Sequence, residues 1–350
     1  MERYIGIDVH SQSCTLAVMG ATGKKLKSQV VETNGKVLVE AVRAVAGQRR
    51  VCLEEGTQSA WLYEILRPHA DEVVVTFPDK HQGPKDDLRD AWMLANQLRT
   101  GSIKTRVYKG PRQFTGLRDA VRGYNMMMHD GVRLKNRLKA IYRSRGIGTT
   151  SEIYEVEARN AWLKKLPPSH RRLAQLLGEE LDALVSLQEE AASWLREESK
   201  AHPIVRKLST APGMGPIRSA QVVAIGVTPH RFRTKRQFWS YCGLGIVTRS
   251  SADWVRQEGQ WVRAQTQQTR GLNRNRNPLL KSVFKGAATS VVQQLKEDPL
   301  CQHYYRLLEG GTKPNLAKLT LARRIAAAVL AMWKKEEVYD PEIAQRTKKA

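Results

Sequence analysis

Tyr4-Ile5-Gly6-Ile7-Asp8-Val9, Cys14-Thr15-Leu16-Ala17-Val18-Met19 and Ser28-Gln29-Val30-Val31 open the chain as three runs separated by short polar turns. Such runs read as β-strands, and their close succession reads as a meander. Outward from them, residues 35–46 carry a helical pattern and Arg50-Val51-Cys52-Leu53-Glu54 a buried strand. Residues 61–66 then read as a second helix and Glu72-Val73-Val74-Val75-Thr76-Phe77 as a further strand. The order βββαβαβ specifies an α/β layered domain, expected over residues 1–108.

Four acids stand out by their position relative to these elements. Asp8 lies in the first strand, where the preceding Gly6 permits close approach of another backbone. Glu54 ends the fourth strand, just before the turn-prone Gly56-Thr57. Asp87 and Asp90 are spaced i, i+3 at the start of the helical stretch Asp87-Leu88-Arg89-Asp90-Ala91-Trp92-Met93-Leu94-Ala95, so both project from one face. Crowded carboxylates raise one another's pKa unless a cation intervenes. Two Mg²⁺ ions held by shared carboxylates can clamp the attacking and leaving oxygens of a phosphodiester, the usual logic of nucleases. Alone, Asp87 and Asp90 equally suit the positive end of a helix; joined with Asp8 and Glu54 they favour a metal site.

Farther along, residues 111–146 and 169–200 carry apolar residues at helical spacing, Leu117, Val121, Leu138 and Ile141 in the first and Leu177, Leu181, Leu184 and Leu195 in the second. They read as an antiparallel hairpin or coiled-coil arm over residues 109–201, or as two helices of a bundle. Charge then shifts: residues 175–200 hold seven acids, whereas residues 201–290 hold two acids against fifteen Lys and Arg. A boundary near His202-Pro203 sets off a basic, mainly helical domain at 202–338 and a basic tail at 339–350. In this domain Pro212-Gly213-Met214-Gly215 reads as a glycine turn between two helices, whose free amides suit a phosphate or merely a structural corner.

The formal charge of +24 and pI near 10.1 point to a polyanionic partner, although a ribosome or a membrane surface fits that charge too. No apolar run approaches the roughly 18 residues of a membrane span, and no signal-peptide pattern opens the chain. A cytoplasmic, nucleoid-associated protein without a membrane partner is expected. Cys14, Cys52, Cys242 and Cys301 show no zinc or disulfide spacing and are expected to be reduced core residues.

The segments Tyr4-Ile5-Gly6-Ile7-Asp8-Val9-His10, Leu53-Glu54-Glu55-Gly56-Thr57 and Lys85-Asp86-Asp87-Leu88-Arg89-Asp90-Ala91 together carry a resemblance. In type and position they resemble the DEDD transposases of the insertion-sequence 110 family, recombinases with a RuvC-like, ribonuclease-H-like N-terminal domain. The resemblance implies that Asp8, Glu54, Asp87 and Asp90 are catalytic acids that bind Mg²⁺, with Glu55 and Asp86 as neighbouring alternatives. Phe238-Trp239-Ser240-Tyr241-Cys242-Gly243-Leu244-Gly245-Ile246-Val247-Thr248-Arg249-Ser250-Ser251-Ala252 resembles the family's C-terminal transposase domain, in which a serine follows a Gly-Leu turn. The match makes Ser251 the nucleophile, with Ser250 next in order. Two departures touch this loop: Ala252 stands where a glycine commonly follows the serine, and Asp253-Trp254-Val255-Arg256-Gln257 onward replaces the usual glycine- and lysine-containing segment. The later run Asn273-Arg274-Asn275-Arg276-Asn277-Pro278-Leu279-Leu280-Lys281 again resembles a helix start of the family.

Arg218 in the glycine-turn segment, and Arg249, Arg256, Arg263, Arg270, Arg274, Arg276 and Lys281, interleaved with Trp254 and Trp261, suit phosphate neutralisation and base stacking. A solvated basic face with two core tryptophans is the other reading. By resemblance the partners are donor and target DNA, a structured noncoding bridge RNA that supplies sequence choice, and further copies of the chain in a dimer or tetramer. The chemistry implied is serine attack on DNA through a transient phosphoserine link. Two other functions remain open: a metal nuclease resembling a Holliday-junction resolvase, and a noncatalytic nucleic-acid-binding protein on a ribonuclease-H scaffold.

Overall fold

The computed structural model describes residues 1–77, 86–107, 110, 112–251, 254–264 and 267–342, with the backbone path alone at 112, 248–251 and 267–270. Lys85, Ala252, Asp253 and the tail positions 343–350 lie outside the described residues. The chain divides into two compact units, Met1–Arg112 and Gln113–Ala350.

In the first unit β1 (Glu2–Val9), β2 (Ser13–Gly20) and β3 (Lys25–Glu32) form the expected meander. They are followed by α1 (Gly35–Arg43), β4 (Gln48–Glu54), α2 (Ser59–Leu66), β5 (Glu72–Thr76) and α3 (Asp87–Thr100). The five strands lie in the order β3-β2-β1-β4-β5. β1, β2 and β3 pair antiparallel, while β4 runs parallel to both β1 and β5. Strand alternation sorts the side chains into two cores. Ile5, Ile7, Val51, Leu53, Val73 and Val75 pack with Leu38 and Val42 of α1 and with Leu62 and Leu66 of α2. Tyr4, Cys52 and Val74 pack on the other side with Leu94, Ala95 and Leu98 of α3. Each fully buried aliphatic side chain contributes about 1.5–3 kcal/mol, so helices are held on both faces of the sheet. This mixed α/β unit is consistent with a ribonuclease-H-like fold.

The second unit is mostly helical. α4 (Thr115–Arg143), α5 (Val156–Leu163) and α6 (Pro168–Lys200) lead to α7 (Pro203–Leu208), α8 (Gly215–Gly226) and α9 (Lys235–Tyr241). Four strands follow, β6 (Ile246–Ser251), β7 (Trp254–Gln257), β8 (Gln260–Arg263) and β9 (Gln267–Leu272), then α10 (Pro278–Gln294), α11 (Pro299–Glu309) and α12 (Pro314–Lys335). α4 and α6 run antiparallel: Gly116 lies against Glu198, Gly123 against Trp194 and Gly131 against Gln188. Their far end is closed by Leu138, Tyr142, Trp162 and Ala174. The bidentate pair of Arg159 with Asp182, at 2.6 Å on both arms, ties α5 to α6 there. At the root, Leu117, Val121 and Leu195 enter the same core as Phe238, Phe284, Leu321 and Ile325. The arm is thus anchored in the C-terminal helices.

The four strands at residues 246–272 were not legible as strands in the sequence. β6 pairs with β9 and β7 with β8, both antiparallel. The β7–β8 turn, Glu258-Gly259, has φ of 49° and 82°. Positive φ at both central residues is what the type I′ two-residue hairpin loop requires. All four cysteines are free and buried, and among the described residues no helix is long and apolar enough to cross a membrane.

Candidate metal centre and nucleic-acid interface

Parallel pairing of β1 with β4 sets Ile7 opposite Leu53, which brings Asp8 and Glu54 to neighbouring positions where the two strands finish. Alternation puts Asp8 on the side of Tyr4 and Gly6, the face that α3 covers. Gly6 makes that cover close. A Cβ at this position would lie 1.9 Å from the Ala91 carbonyl oxygen and 2.6 Å from the Ala95 nitrogen. Only a residue without a side chain admits the helix at this distance, and the first turn of α3 carries Asp87 and Asp90.

His10, one residue beyond β1, reaches back into this group. Its Nε2 lies 3.1 Å from Asp8 Oδ2 and 3.1 Å from Asp87 Oδ1. Ligand atoms of Asp8, His10 and Asp87 all fall within 4.8 Å of one another, a spacing that one metal ion can bridge. The side chain of Asp8 is 15% exposed and that of Asp87 51%. Burial pushes the Asp8 carboxyl above its usual range; His10 opposes this, while the charges of Asp87 and Asp90 add to it. Glu54 stands on the Cys52 side of β4. Burial, and then the Glu54 charge, push the Cys52 thiol up to about 12.

Asp8, His10, Glu54, Glu55, Gly56 and Ser59 line a cavity of about 200 Å³ at the strand ends. Glu55 is engaged with the end of β5 and the start of α2: its amide donates to the Thr76 carbonyl at 2.7 Å, and its carboxylate accepts from the Ser59 hydroxyl at 3.1 Å. Asp86 is the N-cap of α3 and accepts from the Leu88 amide at 3.0 Å. Asp90 is half-buried and its amide donates to the Asp86 carbonyl. Asp8, Glu54, Asp87 and Asp90 thus lie at one end of the sheet; Glu55 lines the same cavity as Asp8 and Glu54, and Asp86 caps α3 beside Asp87. His10 is the residue missed in the sequence; its signal was the Asp-x-His spacing at the close of a strand. Carboxylate oxygens with one imidazole, around an Asp8 carboxyl whose pKa is raised first by burial and then by the neighbouring acids, fit a divalent cation by donor chemistry and by charge.

In the second unit Ser251 is the last residue of β6 and pairs with Gln267; Ser250 pairs with Gln268. Arg249 stands opposite Thr269 and Arg270 opposite Thr248. Arg256 and Arg263 lie exposed on β7 and β8, and Arg274 is exposed beyond β9. Trp254 and Trp261 are 60% and 65% exposed, so neither is a core residue. Arg276 is half-buried, donates to the Asn273 carbonyl at 3.1 Å, and lays its stem over Gly243. Lys281 in the first turn of α10 has its pKa lowered, first by burial and then by the nearby charges of Arg276 and Lys285. Those three cations form one positive cluster. Arg218 points inward instead. Its guanidinium donates to the Gly213 carbonyl and, at 3.0 Å, to the Ser290 hydroxyl, closing the glycine turn between α7 and α8.

Carboxylates collected at the ends of parallel strands, in a chain whose other unit is strongly basic, define a class of enzyme that cuts nucleic acid. Residues 5–144 match a family model described as a transposase of the DEDD type, and residues 205–306 match one described as the transposase IS116/IS110/IS902 family. The chain belongs to this transposase family, and membership carries an activity of DNA cleavage and rejoining. No curated protein matches the chain.

Proposed function

We propose that this insertion-sequence transposase is a bridge-RNA-guided serine recombinase with a RuvC-like acid site. Asp8, Glu54, Asp87 and Asp90 would hold Mg²⁺, with His10 a fifth candidate ligand. The ion would supply Lewis-acid polarisation of the scissile phosphate and stabilise a deprotonated serine oxygen. The observation that carries the reading is the convergence of Asp8, Glu54 and the first turn of α3 at one end of the sheet, with His10 bridging two of the acids.

The chain's own residues then have separable tasks. Ser251 Oγ attacks phosphorus; a serine–phosphate bond forms as the bond to the leaving sugar oxygen breaks. The serine proton departs to solvent or a carboxylate, and the leaving oxygen takes up a proton. The phosphoserine keeps the ester energy for rejoining, which hydrolysis would lose. The acids belong to one unit and Ser251 to the other, so cutting draws on both. Arg249, Arg256, Arg263, Arg270, Arg274, Arg276 and Lys281 neutralise the phosphates of DNA and of a structured RNA. The helical arm of α4 and α6 assembles the copies that recombination needs; exposed Val132, Leu173, Leu176, Val185 and Leu187 provide apolar surface for that contact.

Sequencing RNA that copurifies with the chain, and incubating the complex with DNA flanking the element, tests the proposal. A discrete structured RNA and a denaturation-resistant protein–DNA adduct are expected. Ser251→Ala abolishes the adduct and Ser250→Ala retains it. An adduct that survives replacement of both serines overturns the nucleophile, and undiminished cutting by Ser251→Ala without any adduct identifies a resolvase-like nuclease instead.

A further inference from the structure

The β7–β8 hairpin has two chemically different faces. Its pairs are Trp254 with Arg263, Val255 with Val262, Arg256 with Trp261, and Gln257 with Gln260. Directly opposed residues of an antiparallel pair share a face, as do residues two apart on one strand. Trp254, Arg256, Trp261 and Arg263 therefore occupy one face as a diagonal checkerboard of two indoles and two guanidiniums. Val255, Val262, Gln257 and Gln260 occupy the other. The Arg263 guanidinium carbon lies 5.9 Å from the Trp254 ring centre, close enough for cation–π contact. The one acid of the hairpin, Glu258, sits in its turn. Both indoles are more than half exposed.

We infer that this face is a stacking platform for unpaired bases of a nucleic-acid strand. The inference rests on the transposase reading above, in which DNA is cut and a guide RNA is held. Indole faces stack on bases only where those bases lack a neighbour, and duplex bases are already covered on both sides. Diagonal neighbours on such a face stand about 7–8 Å apart, roughly twice the ~3.4 Å separation of stacked bases. One base plane thus fits between Trp254 and Trp261, while Arg256 and Arg263 meet the adjoining phosphates. Trp and Arg also anchor protein interfaces. Here the face carries no acid, and residues 201–290 hold fifteen basic residues against two acids, so a polyanion is the matching partner.

The test uses the full chain without divalent metal, so that the acid site and the serine do not enter the readout. The probes are a short unstructured DNA oligonucleotide carrying 2-aminopurine, an RNA of the same sequence, and the corresponding blunt DNA duplex. Binding is expected to quench 2-aminopurine in the single strands; the tighter of the two identifies which strand the platform takes. Replacing both indoles, Trp254→Ala with Trp261→Ala, is expected to weaken single-strand binding by roughly 10- to 100-fold and duplex binding far less. Trp254→Phe with Trp261→Phe keeps most of the affinity, which separates stacking from a damaged hairpin. Arg256→Gln with Arg263→Gln flattens the salt dependence by a slope of about 1–2. Val255→Thr with Val262→Thr, on the opposite face, leaves single-strand binding in place. Equal losses on single strand and duplex, unquenched 2-aminopurine, or an equal loss from the valine variant overturns the platform. Self-association abolished by the alanine pair, with nucleic-acid binding intact, overturns it in favour of a protein interface. None of these results alters the adduct test of Ser251, so the two readings fail separately.

Discussion

Asp8 near the end of β1 and Ser251 at the end of β6 are held in opposite ways. β1 is the central strand of five, with a core on each face and α3 seated on Gly6. β6 has one partner strand, and Ile246 and Val247 at its start are exposed. The acids inherit their geometry from packing that is costly to disturb, whereas a two-stranded pair is marginal by itself. The difference teaches where precision is built in: the acid-bearing end of the first sheet is fixed by packing on both faces, and the position of Ser251 depends on local pairing.

Removing charge from the fixed end has the largest expected effect. Asp8→Asn is predicted to lower metal-dependent cutting on the order of 10³-fold, because a lost ligand forfeits several kcal/mol of phosphate polarisation. The same variant should raise the melting temperature of the metal-free chain by about 1–4 °C. The sign follows from linkage. The folded-state pKa of Asp8 is raised, so between the ordinary carboxylate value and the raised one the folded chain binds more protons than the unfolded chain, and stability falls as pH climbs through that window. Asn carries no such penalty. A melting temperature lower than that of the wild type in calorimetry would contradict this account.

A matched pair of glycine substitutions addresses the comparison directly. Gly6→Ala drives a methyl into the backbone of α3 and should cost about 1–3 kcal/mol or more in denaturant unfolding. Gly271→Ala in β9 meets nothing within 4 Å and should stay within about 0.5 kcal/mol. Equal costs would erase the distinction between the two strands. Acidification gives the next effect: cutting should begin to fall at a pH above the ordinary carboxylate range, since Asp8 must lose its proton to serve as a ligand, and by about tenfold per pH unit below that point. A rate profile flat down to the range of a free aspartate would break the link between burial and metal binding. Smallest is Asp86→Ala, which deletes the cap of α3 for about 1 kcal/mol and should reduce metal affinity modestly through fraying beneath Asp87; isothermal titration with Mg²⁺ reads it.

Legibility in the sequence followed burial for most elements; β3, exposed along much of its length yet read from Ser28-Gln29-Val30-Val31, is an exception. β1, β2, β4, β5, α4 and α6 announced themselves because aliphatic residues recur there at the period of a strand or a helix, and the cores bury those residues. Trp254-Val255-Arg256-Gln257 and Gln260-Trp261-Val262-Arg263 did not, since no face of that hairpin is buried and its alternation mixes Trp with Arg. α5 and α9, of eight and seven residues, carry too few apolar repeats to stand out. At the acid site, periodicity placed Asp8 and Glu54 each near the finish of a strand, but which strands lie side by side is a property of topology. His10 escaped because its role depends on Asp87, which meets it only when α3 docks. The sequence places Arg218 among the phosphate-binding cations, and nothing local signals that Ser290, seventy-two positions later, accepts from its guanidinium.

The parallel partnership of β1 with β4 also dictates an order of assembly. Glu2 and Gln48 are separated along the chain by the meander and α1, and so distant a pairing is expected to form slowly compared with the β1–β2 hairpin beside it. A chain still emerging from the ribosome therefore displays Asp8 without Glu54 and without the α3 acids. The acid group is complete only when β4 and α3 have joined β1, and the strand transfer proposed above needs the later-made Ser251 as well.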